Sequence, residues 1–181
     1  MTDATMVFHA IPELAPDYAE RRKPFREAHL SRLLELRARG QVVAVGPRAK
    51  ESRADMFYRV ASQDEMKRLV TEDIYFREKV WVGYQLRPFT QFVEPWHHAE
   101  PKPDGSRIAT LVEGPSKDLD TGSLVMVELR GRGRMIFGGF LGDQTLLALA
   151  TPDRATALDW ATESGLWTAE ELTSWEWIFV L

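Results

Sequence analysis

Residues 26–47 read REAHLSRLLELRARGQVVAVGP, and their spacing predicts a helix, a stop and a strand in that order. Phe25, Leu33 and Leu36 share one helical face with His29, and Gly40 ends the helix. The apolar run Val42 to Val45 then reads as a buried strand, and Gly46-Pro47 as the turn that closes it. One ionisable imidazole therefore stands on an otherwise apolar face.

Working outward, Val7 to Ile11 predicts a first strand left through Pro12 and Pro16, with His9 on the face of Val7 and Ile11. Pro24 fits the first turn of the main helix or a kink within a longer one, since proline lacks a donor. A polar loop, Lys50 to Asp55, leads to a third strand, Met56 to Ala61. Ser62 with Glu65 three residues on has the spacing of a capping box, so a second helix begins there and ends near Asp73 to Phe76. Val80 to Leu86 supplies a fourth strand closed by Pro88. The order βαββαβ predicts an α+β fold, a four-stranded antiparallel sheet with both helices on one face.

The chain then repeats itself. Glu94 to Ser106 is proline-rich and aperiodic, which predicts a linker between a domain of residues 1–93 and a second of residues 107–181. Glu35-Leu36-Arg37-Ala38-Arg39-Gly40 recurs as Glu128-Leu129-Arg130-Gly131-Arg132-Gly133, each followed by an apolar strand and a glycine turn, Gly46 or Gly138-Gly139. Thr151-Pro152 opens a helix where Ser62 did, and Trp175 to Leu181 gives a last strand. In this alignment His29 falls on Gly122, or on Ser123 with one residue of slip, and Asp73 falls on Ser164. Gly122 to Leu129 is a poor helix former by propensity, so that helix is expected short or missing. One split βαβ sheet leaves a face bare, and two such ferredoxin-like units gain by packing their sheets face to face.

Composition narrows the function. The chain has no cysteine, which removes thiol nucleophiles, disulfides and thiolate metal sites. A formal net charge of -4 argues against phosphate-backbone binding, although Arg21, Arg22, Lys23 and Arg26 form a local basic patch. No run is long enough for a membrane span and no signal peptide is recognised, so a cytoplasmic protein without nucleic-acid or membrane partners is expected.

Arg26-Glu27-Ala28-His29-Leu30, Gly46-Pro47, Asp73-Ile74-Tyr75 and Pro88-Phe89 together resemble the YciI-like (YCII-related) family. The resemblance covers the first half of the chain well and the second half faintly, with Ile74 standing where the family has proline. It implies a dimeric α+β barrel, formed here by a fused second copy, as a monomeric pseudo-dimer or a homodimer. It also implies a small cofactor-free enzyme, a lyase or isomerase doing proton transfer, isomerisation or elimination on a small aromatic or lactone-like substrate. His29 and Asp73 would be its acid-base pair, because an imidazole in a dry pocket moves protons near neutral pH. Arg26, one turn before His29, would hold a small anion, and Gly46, Pro47, Tyr75 and His9 would complete the substrate site. The alternative from another class is a ligand-binding or structural module without turnover. For each residue there is a plainer reading: a satisfied half-buried His29, a solvated Asp73 set against a helix dipole, a solvated Arg26, an edge-strand His9 at the surface. His97-His98 with Glu100 lacks metal-ligand spacing and reads as linker, and Gly131 to Gly142 lacks a phosphate-binding pattern. Trp175, Trp177 and Phe179 alternate on one strand face and read as a packing contact rather than a platform for bases.

Overall fold

The computed structural model describes residues 5–50, 52–95 and 100–180. His97 and His98 lie outside them. Contacts divide the chain into two units, Met1–Pro88 and Phe89–Leu181.

The first unit begins with β1 (Met6–Leu14), a short helix α1 (Tyr18–Arg21) and a 3-10 turn, Lys23–Phe25, with Pro24 in its first positions. The main helix α2 (Arg26–Ala38) follows and buries His29, Leu33 and Leu36. Gly40, at φ 74, provides the left-handed residue that lets the chain leave the helix. β2 (Val42–Pro47) and β3 (Ala54–Val60) form a hairpin, and Ser62 caps α3 (Gln63–Thr71) by accepting from the Glu65 amide at 3.1 Å. Glu65 returns the favour one residue early, accepting from Ala61 N at 2.7 Å. A further turn of helix, α4 (Ile74–Arg77), leads into β4 (Trp81–Val93). The strand order is β2-β3-β1-β4, with β3 antiparallel to β1 and β2.

Four expectations for this unit are corrected. Gly46-Pro47 is not a turn: both residues lie in β2, the outermost strand, where proline's missing donor is tolerated, and the turn begins beyond them, at residues 49–50. Asp55 belongs to β3 rather than to a loop. Asp73 does not end a helix against its dipole. It begins α4, its side chain accepting from the Tyr75 amide, a placement the dipole favours. Pro88 does not close the fourth strand, which continues to Val93, and the residues from Phe89 on belong to the second unit.

The second unit comprises the end of β4, β5 (Ile108–Pro115), α5 (Leu119–Gly131), β6 (Met135–Leu141), β7 (Gln144–Leu149), α6 (Arg154–Thr162) and β8 (Thr173–Ile178). Its order β6-β7-β5-β8 repeats that of the first unit, and the end of β4 pairs with β6. Contrary to the propensity reading, α5 is as long as α2, 13 residues each. Asp118 caps it by accepting from Thr121 N at 2.7 Å, and burial of Val125, Met126 and Leu129 against Val112, Leu147 and Leu149 outweighs β-branching and Gly122. Gly138-Gly139 is strand rather than turn: a Cβ on Gly139 would stand 2.2 Å from Thr90 O, so glycine admits the approach of β4. Trp175, Trp177 and Phe179 are buried.

Equivalences between the units follow from the ladders. The β2-β3 and β6-β7 hairpins each carry a bulge, between Val42/Ala44 and between Met135/Phe137. Ala44↔Phe57↔His9 in one unit then matches Phe137↔Ala148↔Leu111 in the other, and Gly46↔Asp55 matches Gly139↔Leu146. One step past Pro47↔Ala54 and Phe140↔Thr145, Arg48 matches Leu141.

Candidate functional site

The sequence-singled residues separate into two groups on opposite faces of the first sheet. Strand alternation sends Met56 and Tyr58 to one face, Asp55 and Phe57 to the other. Tyr58 feels the charges of Asp73 and Arg32, which come from the helical layer, so its face is the helix-covered one. His9 is the ladder partner of Phe57 and stacks on it at 4.4 Å, which places it on the reverse face.

On the helical side, His29 and Asp73 are both buried, and His29 Nδ1 lies 2.9 Å from Asp73 Oδ1. A carboxylate only accepts, so Nδ1 carries the proton and the lone pair of a neutral ring is left on Nε2. Among the described residues no hydrogen bond engages Nε2. Three contacts fix the ring: the Asp73 bond, a stack on Tyr75 at 3.8 Å and an edge contact with Trp81 at 5.3 Å. Asp73 is fixed in turn by the Tyr75 amide at 2.9 Å and by Arg32, whose Nε lies 3.5 Å from Oδ2 while Nη2 donates to Leu69 O at 3.0 Å. His29 is thus buried rather than half-buried, its Nδ1 satisfied by Asp73, and Asp73 is not solvated.

The phenols around this pair are held protonated. Burial pushes Tyr58 well above its usual value, helped by the Asp73 charge and opposed by Arg32. Burial likewise raises Tyr75, reinforced by neighbouring Tyr18 and opposed by Arg22 and Arg26. Arg26 is therefore close enough to act electrostatically on Tyr75 beside His29. Arg22 lies over the Tyr18 ring at 4.9 Å, and Tyr18 meets Tyr75 edge-on at 6.2 Å. Arg21 and Lys23, by contrast, pair with Asp17 and Glu20 at the surface.

Gly46, Pro47 and His9 are not part of this group. Gly46 and Pro47 are ladder partners of Asp55 and Ala54 in the edge hairpin. His9 is fully buried in β1, which lies between β3 and β4, so it is no surface edge histidine. Its Nε2 donates to Asp55 Oδ1 at 2.8 Å, and Arg48 grips the same carboxylate with Nε at 2.8 Å and Nη2 at 2.9 Å. Burial would raise Asp55, but the His9 bond and the Arg48 guanidinium together bring it below the usual carboxylate value.

Sequence reading missed Arg32, Arg48 and Asp55. Arg32 carried a signal, since it lies three residues after His29 on the same helix surface. Asp55 carried a weaker one, an acid alternating with Phe57 on an apolar strand.

In the second unit both groups are gone. Gly122, at the His29 position, would place a Cβ 3.9 Å from Leu166, at the Tyr75 position, so the spatial relation survives without the chemistry. Ser164 keeps only the turn bond, accepting from Leu166 N at 3.2 Å as Asp73 does from Tyr75 N. A cavity of about 80 Å³ beside it is lined by Trp160, Leu129 and the charges Glu128, Arg132 and Glu163. Those charges pair with one another. No histidine lines it.

No family model matches the chain, and no curated protein does. Solved structures do. A protein provisionally described as a monooxygenase from Lactobacillus acidophilus NCFM is similar at TM-score 0.62 and 10% identity, covering 97% of this chain and 93% of that one. A second provisional monooxygenase, from Fusobacterium nucleatum subsp. nucleatum ATCC 25586, matches at TM-score 0.61 and 7% identity over 100% of this chain and 94% of that one. A siroheme decarboxylase matches at TM-score 0.51 and 10% identity, covering 94% and 70%. At these identities the likeness is one of fold, the α+β architecture of dimeric α+β barrel proteins. Among the described residues no helix is long and apolar enough to cross a membrane.

Proposed function

We propose that the first unit is a YciI-like acid-base site in which His29 is the proton carrier and Asp73 orients it. The observation that carries this reading is the 2.9 Å contact of Nδ1 with Asp73, which leaves Nε2 as the accepting nitrogen of a clamped, buried ring. In a small cofactor-free enzyme of this kind, Nε2 takes a proton from a substrate carbon or hydroxyl, and Asp73 stabilises the imidazolium that forms. The proton returns to a different atom in an isomerisation, or to the leaving group in an elimination. Positioned proton transfer of this sort contributes roughly 10²- to 10⁴-fold in rate. Arg26 holds the negative charge that develops on the substrate, and Tyr75 supplies a flat wall and a protonated hydroxyl. The second unit is a degenerate copy that keeps the framework and lacks the site, giving one site per chain.

A turnover screen on lactones and halogenated hydroxyaromatics, run on the intact chain beside His29→Ala and Asp73→Ser, tests the reading. Activity lost in His29→Ala and reduced at least 100-fold in Asp73→Ser is expected. Activity retained in His29→Ala refutes it, and binding of such compounds without turnover in the intact chain favours a ligand-binding module instead.

A further inference from the structure

We infer that Arg32 is a positioning residue for the His29 base: its guanidinium is the countercharge of Asp73, which leaves the imidazole neutral and able to take a proton. The inference rests on the reading of His29 as the proton carrier.

Three observations carry it. First, the charges must balance. Asp73 is 1% exposed, and a carboxylate taken that far from water needs a cation beside it. His29 cannot be that cation and a base at once, because a base keeps a free lone pair. Among the described residues Asp73 pairs with one other cation, Arg32, whose Nε lies 3.5 Å from Oδ2. Second, the two carboxylate oxygens divide the work. Oδ1 accepts from His29 Nδ1 and from the Tyr75 amide, each at 2.9 Å, while Oδ2 faces the guanidinium. The guanidinium is itself held, since Nη2 donates to Leu69 O at 3.0 Å, and its buried Nε makes no hydrogen bond elsewhere among the described residues. Third, the fold does not need an arginine here. Three residues on from His29 and from Gly122 stand Arg32 and Val125, and Val125 is buried in the core of the second unit. His29, Asp73 and Arg32 are thus lost together in that unit, to Gly122, Ser164 and Val125.

What Arg32 does follows from the charge count. With the ring neutral, carboxylate and guanidinium cancel and the group carries no net charge. Once Nε2 has taken a proton from the substrate the group carries one positive charge, so the proton is readily given back to the substrate in the second half of the reaction. Without Arg32 the imidazolium and the carboxylate would cancel instead, and the ring would hold its proton at rest. The other ionisable neighbours do not reverse this. Tyr58 and Tyr75 are held as neutral phenols, and Arg22 and Arg26, felt at Tyr75, add positive charge in the same sense.

Side-chain nitrogen spectra of selectively labelled histidine in the full-length chain read the charge on His29 without a substrate. At a pH where the wild-type ring is neutral, Arg32→Met, which keeps the aliphatic stem, should show both nitrogens of His29 protonated. Arg32→Val, which copies the second unit, should do the same, and Arg32→Lys, which keeps the charge, should show the wild-type ring. All three should melt within about 5 °C of the wild type. On a lactone or halogenated hydroxyaromatic that the wild type turns over, Arg32→Met should lower kcat roughly 10-fold at neutral pH with KM little changed, and Arg32→Lys should restore it. The inference is overturned if His29 stays neutral in Arg32→Met and Arg32→Val, or if Arg32→Lys behaves as they do. It is equally overturned if Arg32→Met and Arg32→Val both fail to fold, which assigns Arg32 to structure. Failure of the His29 reading is a separate result: activity retained in His29→Ala refutes that reading, whereas an essential His29 beside a fully active Arg32→Met refutes this inference alone.

Discussion

Replacing Asp73 by serine separates the two tasks of its carboxylate. The Tyr75 amide bond should survive, because Ser164 accepts from Leu166 N at 3.2 Å at the equivalent turn. What is lost is the bond to His29 Nδ1 and the neighbouring charge of Arg32 at 3.5 Å. A hydrogen bond to a charged group is worth about 1.5–3 kcal/mol. The Arg32 contribution is smaller, about 0.5 kcal/mol, because its side chain is 27% exposed and its contact is long. Asp73→Ser should therefore cost about 2–3 kcal/mol, lowering the urea midpoint by about 1–2 M. His29→Ala loses the same bond and the Tyr75 stack, about 3 kcal/mol. Since both substitutions remove one shared interaction, the double variant should cost less than their sum by about 1.5 kcal/mol or more. Equilibrium urea unfolding of the four proteins measures this. Additivity within about 0.5 kcal/mol would refute the claim that the carboxylate and the imidazole act as a pair.

Asp55 has a folded-state pKa below its usual value, so its contribution to stability is full above the ordinary carboxylate range and is lost as pH falls through the lowered one. Urea midpoints should accordingly fall between about pH 5 and about pH 2 in the wild type and fall less in Asp55→Asn, and equal slopes would contradict this. Gly139→Ala should destabilise the second unit by about 3 kcal/mol, because its Cβ meets Thr90 O at 2.2 Å and backbone cannot yield cheaply; a neutral midpoint in thermal unfolding would contradict it. Arg26→Ala should lower kcat about 10-fold with KM little changed and the fold intact, and rescue by Arg26→Lys should be partial, as expected when a planar guanidinium holds an oxyanion that develops in the transition state.

Most of the fold was legible because it rests on periodicity and caps. The α2 face, the Ser62 cap and the recurrence of Glu35 to Gly40 at Glu128 to Gly133 each report a local preference that the structure keeps. Errors fell where tertiary context overrode such preference. Gly122 and the β-branched residues of α5 spoke against a helix that burial stabilises, Pro47 marked a turn where an edge strand accepts proline, and Pro88 marked the end of a strand that runs on to Val93. His29 and Asp73 were visible through a resemblance, and their partner Arg32 through helical spacing. Asp55 and Arg48 were not, because their meaning lies in a ladder register that brings Asp55 of β3 and Arg48, just past β2, to His9 of β1, which no local pattern encodes.

The proposed role of His29 requires the proton on Nδ1 and the lone pair on Nε2. Long-range proton–nitrogen correlation spectra of the labelled chain at a pH where the ring is neutral report this directly. A protonated Nδ1 and an unprotonated Nε2 at His29, reversing toward the mixture of a free imidazole in Asp73→Ser, is the result expected. A neutral ring protonated on Nε2 in the wild type would contradict the account, since such a ring cannot donate to Asp73 and offers no base toward a substrate.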